Sequence, residues 1–326
     1  MGAIQNRTLG IISTVLMAAS AFGAETKANK PVPGADIFDN KHVLPITIEI
    51  STNELKALQR DARRYARATV REGTNVWNEV GIHLKGAAGS FRGIDDKPAL
   101  TLHFSKFTPD QKFHGLKKIH LNNSVQDASY MTENLCGELF RRAGVPAARV
   151  SYATVVFNGR KKGVYVLKEG FEKEMLGLYF NKTKGNLYDG GFLREITDPL
   201  ERDEGQGDDV DKWADLKALA AAAQSTNVLT RFDDLSKVLD MERFISFVAL
   251  EIMMWDWDGY VLNRNNYRVF HDMGSNRMVF FPHGMDQMFW HADAPIYPNM
   301  NGLVAQAVVK THQGRQAYRE RFEQIF

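Results

Sequence analysis

The sequence predicts an α+β protein of two lobes, strand-rich up to residue 170 and helix-rich beyond it. Three observations carry this expectation. Short runs in the first half alternate apolar with polar residues, the period of half-buried strands. Apolar residues in the second half recur at helical spacing over longer stretches. Compact polar loops separate these elements, as expected of chain that borders a cleft. With 326 residues, 44% hydrophobic and 25% charged, the chain is long enough for one large core or two modest ones, and its composition is that of a globular protein.

The elements follow in order. Residues 1–23 read as an export signal, with Arg7 as the charged flank, an apolar run from 9 to 22, and the small residues Ala21 and Gly23 before Ala24. That run is short for a bilayer span of about 20 apolar residues. Residues 24–40 read as a proline-containing linker, 41–170 as the N-terminal lobe and 171–326 as the C-terminal lobe. The alternation at 44–50 predicts a strand, and Ser51, Thr52 or Asn53 caps a short helix after it. Strands are expected at 68–71, 76–84 and 99–104. Met131, Leu135, Leu139 and Phe140 have helical spacing within 129–143, and Gly144 stops that helix. Apolar runs at 150–157 and 164–167 flank Asn158-Gly159, a hairpin signal. The acidic stretch 196–211, with Asp208, Asp209 and Asp211, reads as an exposed insertion without the spacing of a calcium-binding EF-hand loop. Helices are expected at 216–224 and 233–254, and strands at 267–270 and 278–281. The chain ends inside an amphipathic pattern with no capping residue, which suggests a further C-terminal portion.

Lysine plus arginine (41) nearly cancels aspartate plus glutamate (39), so the field that draws a protein to nucleic acid or anionic lipid is absent. Neither nucleic acid nor, after signal cleavage, a membrane is an expected partner. Cys136 is the only cysteine, which excludes an intrachain disulfide and a cysteine metal cluster, and its place in a helical apolar pattern predicts a buried, inert thiol. The histidines lack the paired spacing of a zinc site, and no G-x-S-x-G element supplies a hydrolase nucleophile.

The densest chemistry lies between Trp255 and Tyr267. Phosphoryl transfer needs a carboxylate to orient the attacking hydroxyl and oxygen ligands for a cation on the nucleotide phosphates. Asp258 precedes Asn263 by five positions, the spacing of the protein-kinase catalytic loop, and two strands then intervene before Asp286. Spacing alone leaves a second reading open, in which Asn263, Asn265 and Asn266 cap turns and Asp286 sits in an ordinary loop. Asp256 is an alternative base with the wrong spacing to Asn263.

The run Trp257 to Tyr267, the strand ending Val-Phe-Phe-Pro282 and the triplet Met285-Asp286-Gln287 resemble the signature of the CotH family, exported or spore-coat proteins with a divergent protein-kinase-like fold. The similarity extends through 135–146 and 149–170. The resemblance implies ATP-dependent phosphorylation of proteins with Mg2+ or Mn2+, Asp258 as catalytic carboxylate, Asn263 as metal ligand and Asp286 as the principal metal ligand. Many members carry Trp-Asp before the last aspartate region, where this chain has His283-Gly284 and so lacks an acidic group. By the same analogy, Gly86 to Gly93 is the loop that lets backbone N–H groups approach phosphates. Lys97 beyond it is then the phosphate lysine, with Lys85 behind it and Glu138 as the partner of that lysine. The alternative is a flexible hairpin with a solvated lysine. Residues 167–170, with Glu169, take the place of the hinge whose backbone would bind adenine. Trp255 and Trp257 either stack on a ligand or belong to the core.

The expectation is thus a secreted, periplasmic or cell-surface kinase that phosphorylates Ser or Thr of an exported protein. Two alternatives stand beside it: a pseudokinase or coat-type interaction protein of the same fold, and a metal-dependent binding or hydrolytic protein that does not use ATP.

Overall fold

The alternation that begins at residue 43 is the start of a closed barrel. In the computed structural model, which describes residues 31–205 and 211–326, β1 (Val43–Ile50) buries Leu44, Ile46, Ile48 and Ile50. Ser51 ends the strand and caps α1 (Thr52–Arg60), its hydroxyl accepting the Glu54 N–H at 3.3 Å. Then follow β2 (Ala66–Glu72), β3 (Asn75–Lys85), β4 (Ala99–His103) and β5 (Lys118–Asn122), each antiparallel to the strand before it. α2 (Thr132–Arg142) stops before Gly144, which takes φ +83°. β6 (Val150–Phe157) and β7 (Arg160–Glu169) form a hairpin through Asn158 and Gly159, both left-handed, at φ 44° and 75°. The strand order is β1-β2-β3-β4-β5-β7-β6, and parallel pairing of β1 with β6 closes the ring and leaves no free edge.

Beyond residue 170 come α3 (Lys173–Tyr179), β8 (Leu187–Asp189), β9 (Glu201–Glu204), α4 (Ala214–Gln224), α5 (Val228–Val238) and α6 (Met241–Met253). They are followed by α7 (Tyr260–Asn263), β10 (Tyr267–Asp272), β11 (Arg277–Pro282), α8 (Leu303–Val309) and α9 (His312–Ile325). The strands form a second sheet in the order β11-β10-β8-β9. α6 is apolar nearly all round and fully buried from Phe244 to Ile252, so it forms the axis of this half. α2 belongs to the same core: Cys136 and Phe140 pack with α6, α8 and β11 rather than with the barrel interior. Residues Val32–Phe326 pack as one unit, in which α2 contacts both β6 of the barrel and α6.

The structure departs from the sequence expectations in four places. The pattern at 233–254 is two helices, because Leu239 is extended, the Asp240 N–H is taken by the Met278 carbonyl at 3.0 Å, and the Asp240 side chain caps α6 by accepting the Arg243 N–H at 3.2 Å. The acidic stretch supplies β9, an edge strand against β8, while Asp208 and Asp209 lie outside the described residues. The described part of the expected linker is docked, with Ile37 in the barrel core and the Pro33 carbonyl accepting from Arg149 Nη2 at 2.6 Å. β5, α3, β8 and α8 were not anticipated, being seven residues or fewer, too short to display a period. The export-signal reading falls outside the described residues. Among the described residues no helix is long and apolar enough to cross a membrane.

Candidate active site

At the end of α6 the chain reverses, with Trp255 in the left-handed region at φ 48° and the Asp256 N–H bonded to the Glu251 carbonyl at 2.7 Å. This turn brings Asp258 onto three asparagines. Its Oδ1 accepts from Asn263 Nδ2 at 3.2 Å and Asn265 Nδ2 at 3.0 Å, and its Oδ2 from Asn266 Nδ2 at 2.9 Å. The asparagines therefore grip the carboxylate and fix its orientation. Because Asn263 turns its amide N–H toward Asp258, its carbonyl oxygen is left for another partner.

Asn266 also reaches the loop that carries Asp286. Its carbonyl accepts the His283 N–H at 2.9 Å, and Gly284 turns beside it at φ +58°. A Cβ on Gly284 would lie 2.5 Å from Asn266 Oδ1, so only glycine admits this approach. The His283-Gly284 pair therefore has a structural reason, the seating of this loop against the loop of Asp258. Asp286 is pushed up to about 6, by burial first and by the Glu133 carboxylate next, against the pull of Lys168 and Lys85.

The charges around Asp286 form one connected group. Lys168 of β7 pairs with Glu133 of α2. Glu133 also accepts from Asn122 Nδ2 at 2.6 Å, and Asn122 Oδ1 accepts from Lys85 Nζ at 2.7 Å. Lys168 lies 3.3 Å from His283 Nδ1, which makes that nitrogen the acceptor. Burial opposes ionisation of Glu133, but the charge and hydrogen bond of Lys168 outweigh it and hold the carboxyl below its usual range. Burial, followed by Lys168, brings Lys85 down to about 8. His120 and His283 are driven well below their usual values, by burial first and then by the lysines beside them, and stay neutral.

Four of the seven residues expected from the sequence fall into two groups. Asp258 and Asn263 meet, while Lys85 and Asp286 belong to the lysine-carboxylate group. Lys97 is elsewhere: its ammonium bonds the Tyr130 hydroxyl at 2.6 Å and lies over the rings of Tyr130 and Tyr165. Glu138 does not meet a strand lysine either, but pairs with Arg141 and Arg142 on the outer face of α2. Glu169 is buried on Arg149. The expected hinge donors are also committed, the Glu169 N–H to the Arg149 carbonyl at 3.0 Å and the Gly170 N–H to that of Lys118 at 3.1 Å. The side chains of Lys97, Glu138 and Glu169 thus meet partners other than those the kinase analogy implies, because packing between elements distant in sequence sets the partner of each, and linear order does not. Cys136 is buried, and Trp257 is partly exposed beside Trp290.

Sequence reasoning missed Lys168, Glu133 and Asn122. One signal for Glu133 was present: it falls on the apolar stripe of α2, at i to Cys136 (i+3), Gly137 (i+4) and Phe140 (i+7), where an unpaired carboxylate is not tolerated.

A closed seven-stranded barrel, a second sheet among helices, and a carboxylate held by three asparagines define a mixed α and β protein with a polar candidate site. The model of the CotH kinase protein family matches residues 82–325, and the chain belongs to that family. It is 24% identical over 199 residues to the inner spore coat protein H of Bacillus subtilis (strain 168), covering 55% of this chain and 53% of that protein. It is 21% identical over 180 residues to the invasin CotH7 of Rhizopus delemar, covering 49% of this chain and 29% of that protein. The matched regions are thus about half the length of the first relative and less than a third of the second.

Proposed function

We propose that this protein is an exported, metal-dependent phosphotransferase that moves phosphate from ATP to a Ser or Thr hydroxyl of an exported or surface protein. In this reading the barrel and the helical half are the two lobes of a divergent kinase-like fold. The observation that carries it is the convergence on Asp286 of Lys85, Lys168 and Glu133, in a chain where Asp258 already holds Asn263. Phosphates need fixed cations, and Lys85 and Lys168 supply two.

The donor set fits a divalent cation. Asp286 is a buried carboxylate whose charge burial and Glu133 oppose, so a cation there would be welcome, and the amide oxygen of Asn263 is not taken by Asp258. Among the described residues no three His, Cys, Asp or Glu side chains form a metal cluster of their own, so phosphate oxygens would complete the coordination. Bound Mg2+ or Mn2+ would neutralise charge developing on the phosphates. Asp258, held by three amides, orients the acceptor hydroxyl and receives its proton. Glu133 holds Lys168 in place, and Asn122 holds Lys85.

The test is phosphate incorporation from labelled ATP into co-exported proteins, with nucleotide-dependent thermal stabilisation measured with and without metal. A ligand bound only by the native state raises its melting temperature by mass action. Stabilisation by ATP only with metal, together with transfer, supports the reading; stabilisation by metal alone favours metal binding without ATP. A second reading, an interaction module of the same fold, draws on the commitment of the Glu169 and Gly170 N–H groups and on the coat-protein and invasin names of the relatives. Absence of nucleotide binding would favour it.

A further inference from the structure

Beneath Asp258, two more carboxyl groups approach each other. Glu251, fully buried on α6, accepts the Tyr260 N–H at 3.3 Å and the Val261 N–H at 2.7 Å, and so caps the first turn of α7 from below. Asp256 is 1% exposed and accepts the backbone N–H of Asp258, while its Oδ2 has no hydrogen-bond partner among the described residues. Both face one small space. The point where a Cβ on Gly259 would sit lies 2.7 Å from Asp256 Oδ2 and 2.8 Å from Glu251 Oε2. Glycine at 259 keeps that space open.

Two buried carboxylates this close cannot both keep their charge without a cation, because desolvation and like-charge repulsion act together. Among the described residues around them, no lysine or arginine side chain supplies one. Asp258 and Asp286, from the loops after α6 and β11, are further carboxyl groups that oppose a charge on Asp256, and the Cys136 thiol on α2 is uncharged, held so by burial and by Asp256. Burial first and a neighbouring carboxylate second push both groups well above the usual carboxyl range, Glu251 through Asp256 and Asp256 through Asp258. The two oxygens also differ. Glu251 receives two N–H donors, which favour its anion, whereas a proton on Asp256 Oδ2 turns an orphan acceptor into a donor.

We propose that Glu251 and Asp256 hold one proton between them and act as a positioning pair for Asp258, the neutral Asp256 fixing its backbone and the anionic Glu251 fixing α7. The charge assignment is independent of the phosphotransfer reading; the positioning role rests on it.

The test is unfolding of the 326-residue chain, unmodified and as Asp256→Asn, followed from pH 5 to 9. The folded pair keeps a proton that the unfolded chain releases, so this contribution to stability is full at low pH and is lost as pH rises through the folded value. Asparagine, neutral at every pH, removes the linkage. Above about pH 5, and until the pair ionises, the unfolding constant of the unmodified chain should rise about tenfold per pH unit relative to the variant. Parallel profiles would overturn the proposal, and so would a variant that cannot fold, since an amide reproduces the shape and neutrality of the acid. In the unmodified chain, a carboxylic-acid band in the infrared should persist at pH 7, where the carboxyls of an unfolded chain are ionised, and its absence there overturns the proposal. At saturating ATP and metal, where the Lys85 limb of nucleotide binding drops out, kcat should decline at alkaline pH in the unmodified chain and Asp256→Asn should abolish that decline; a decline of equal steepness in the variant rejects the positioning role. If the unmodified protein transfers no phosphate, the enzymatic reading and the positioning role fall together, while the stability profiles still decide the shared proton.

Discussion

Lys168 of β7 and Glu133 in the first turn of α2 form an ion pair closed to water, with side chains 0% and 3% exposed. It fastens the barrel to the one helix of the first half whose apolar face lies in the helical core. Removing two charges from water is expensive, so such a pair is retained for its geometry more than for stability.

Breaking the pair from one side should therefore be worse than removing it. Lys168→Met leaves Glu133 buried and uncompensated and should cost about 3–5 kcal/mol, whereas Lys168→Met with Glu133→Leu should cost less than the single change. Denaturant unfolding of the two single variants and the double variant checks this; additive losses would mean that the two side chains act separately.

Nucleotide binding should have a bell-shaped pH dependence. Below about 6 Asp286 takes up a proton and, in the proposed reading, no longer binds the metal, and above about 8 Lys85 loses the charge proposed to meet phosphate. Asp286→Ala should abolish the metal-dependent part and leave the fold intact. Calorimetric titration with ATP and metal across pH 5 to 9 reads both limbs, and a flat profile would detach both residues from the site.

Lys85→Ala should weaken ATP binding more than Lys97→Ala, the reverse of the order suggested by the glycine-containing loop. Lys85 reaches Asn122 beside Glu133, while Lys97 is bound to Tyr130. A ranking that favours Lys97 would mean that the loop 86–97 rearranges when nucleotide binds.

Asp258→Asn should cut turnover by about 10²- to 10⁴-fold and spare ATP affinity, because in the proposed reading the carboxylate acts on the acceptor hydroxyl and not on the nucleotide. Asp256→Asn should lose much less. If the second variant shows the larger loss in steady-state rate, the base is Asp256 and the five-residue register to Asn263 is coincidence.

Gly284→Ala should destabilise by about 1–2 kcal/mol from its left-handed backbone alone. It should also move Asn266 off Asp258, because the added Cβ meets Asn266 Oδ1. Turnover should therefore fall more than ATP affinity does; equal falls would place the effect on the loop of Asp286 instead.

Much of this molecule was legible because it is locally encoded. Alternation in 44–50, the Ser51 cap, the Asn158-Gly159 turn and Gly144 each state a backbone preference within a few residues, and the structure has the corresponding element at each. The register from Asp258 to Asn263 is of the same kind, since one short helical turn brings the two side chains together. The break at Leu239 was not legible, because it depends on a hydrogen bond to Met278, far along the chain.

The sequence by itself determined the order and type of most elements, the carboxylate-amide loop and, through its motifs, the family. Only the tertiary structure decided which lysine meets which glutamate, that β1 closes on β6, and that Glu251 and Asp256 face one space across Gly259. Period and capping act over a few residues and tell a side chain whether it faces inward. The partner it finds there comes from strands and helices distant in sequence, whose backbone pairing carries no side-chain mark.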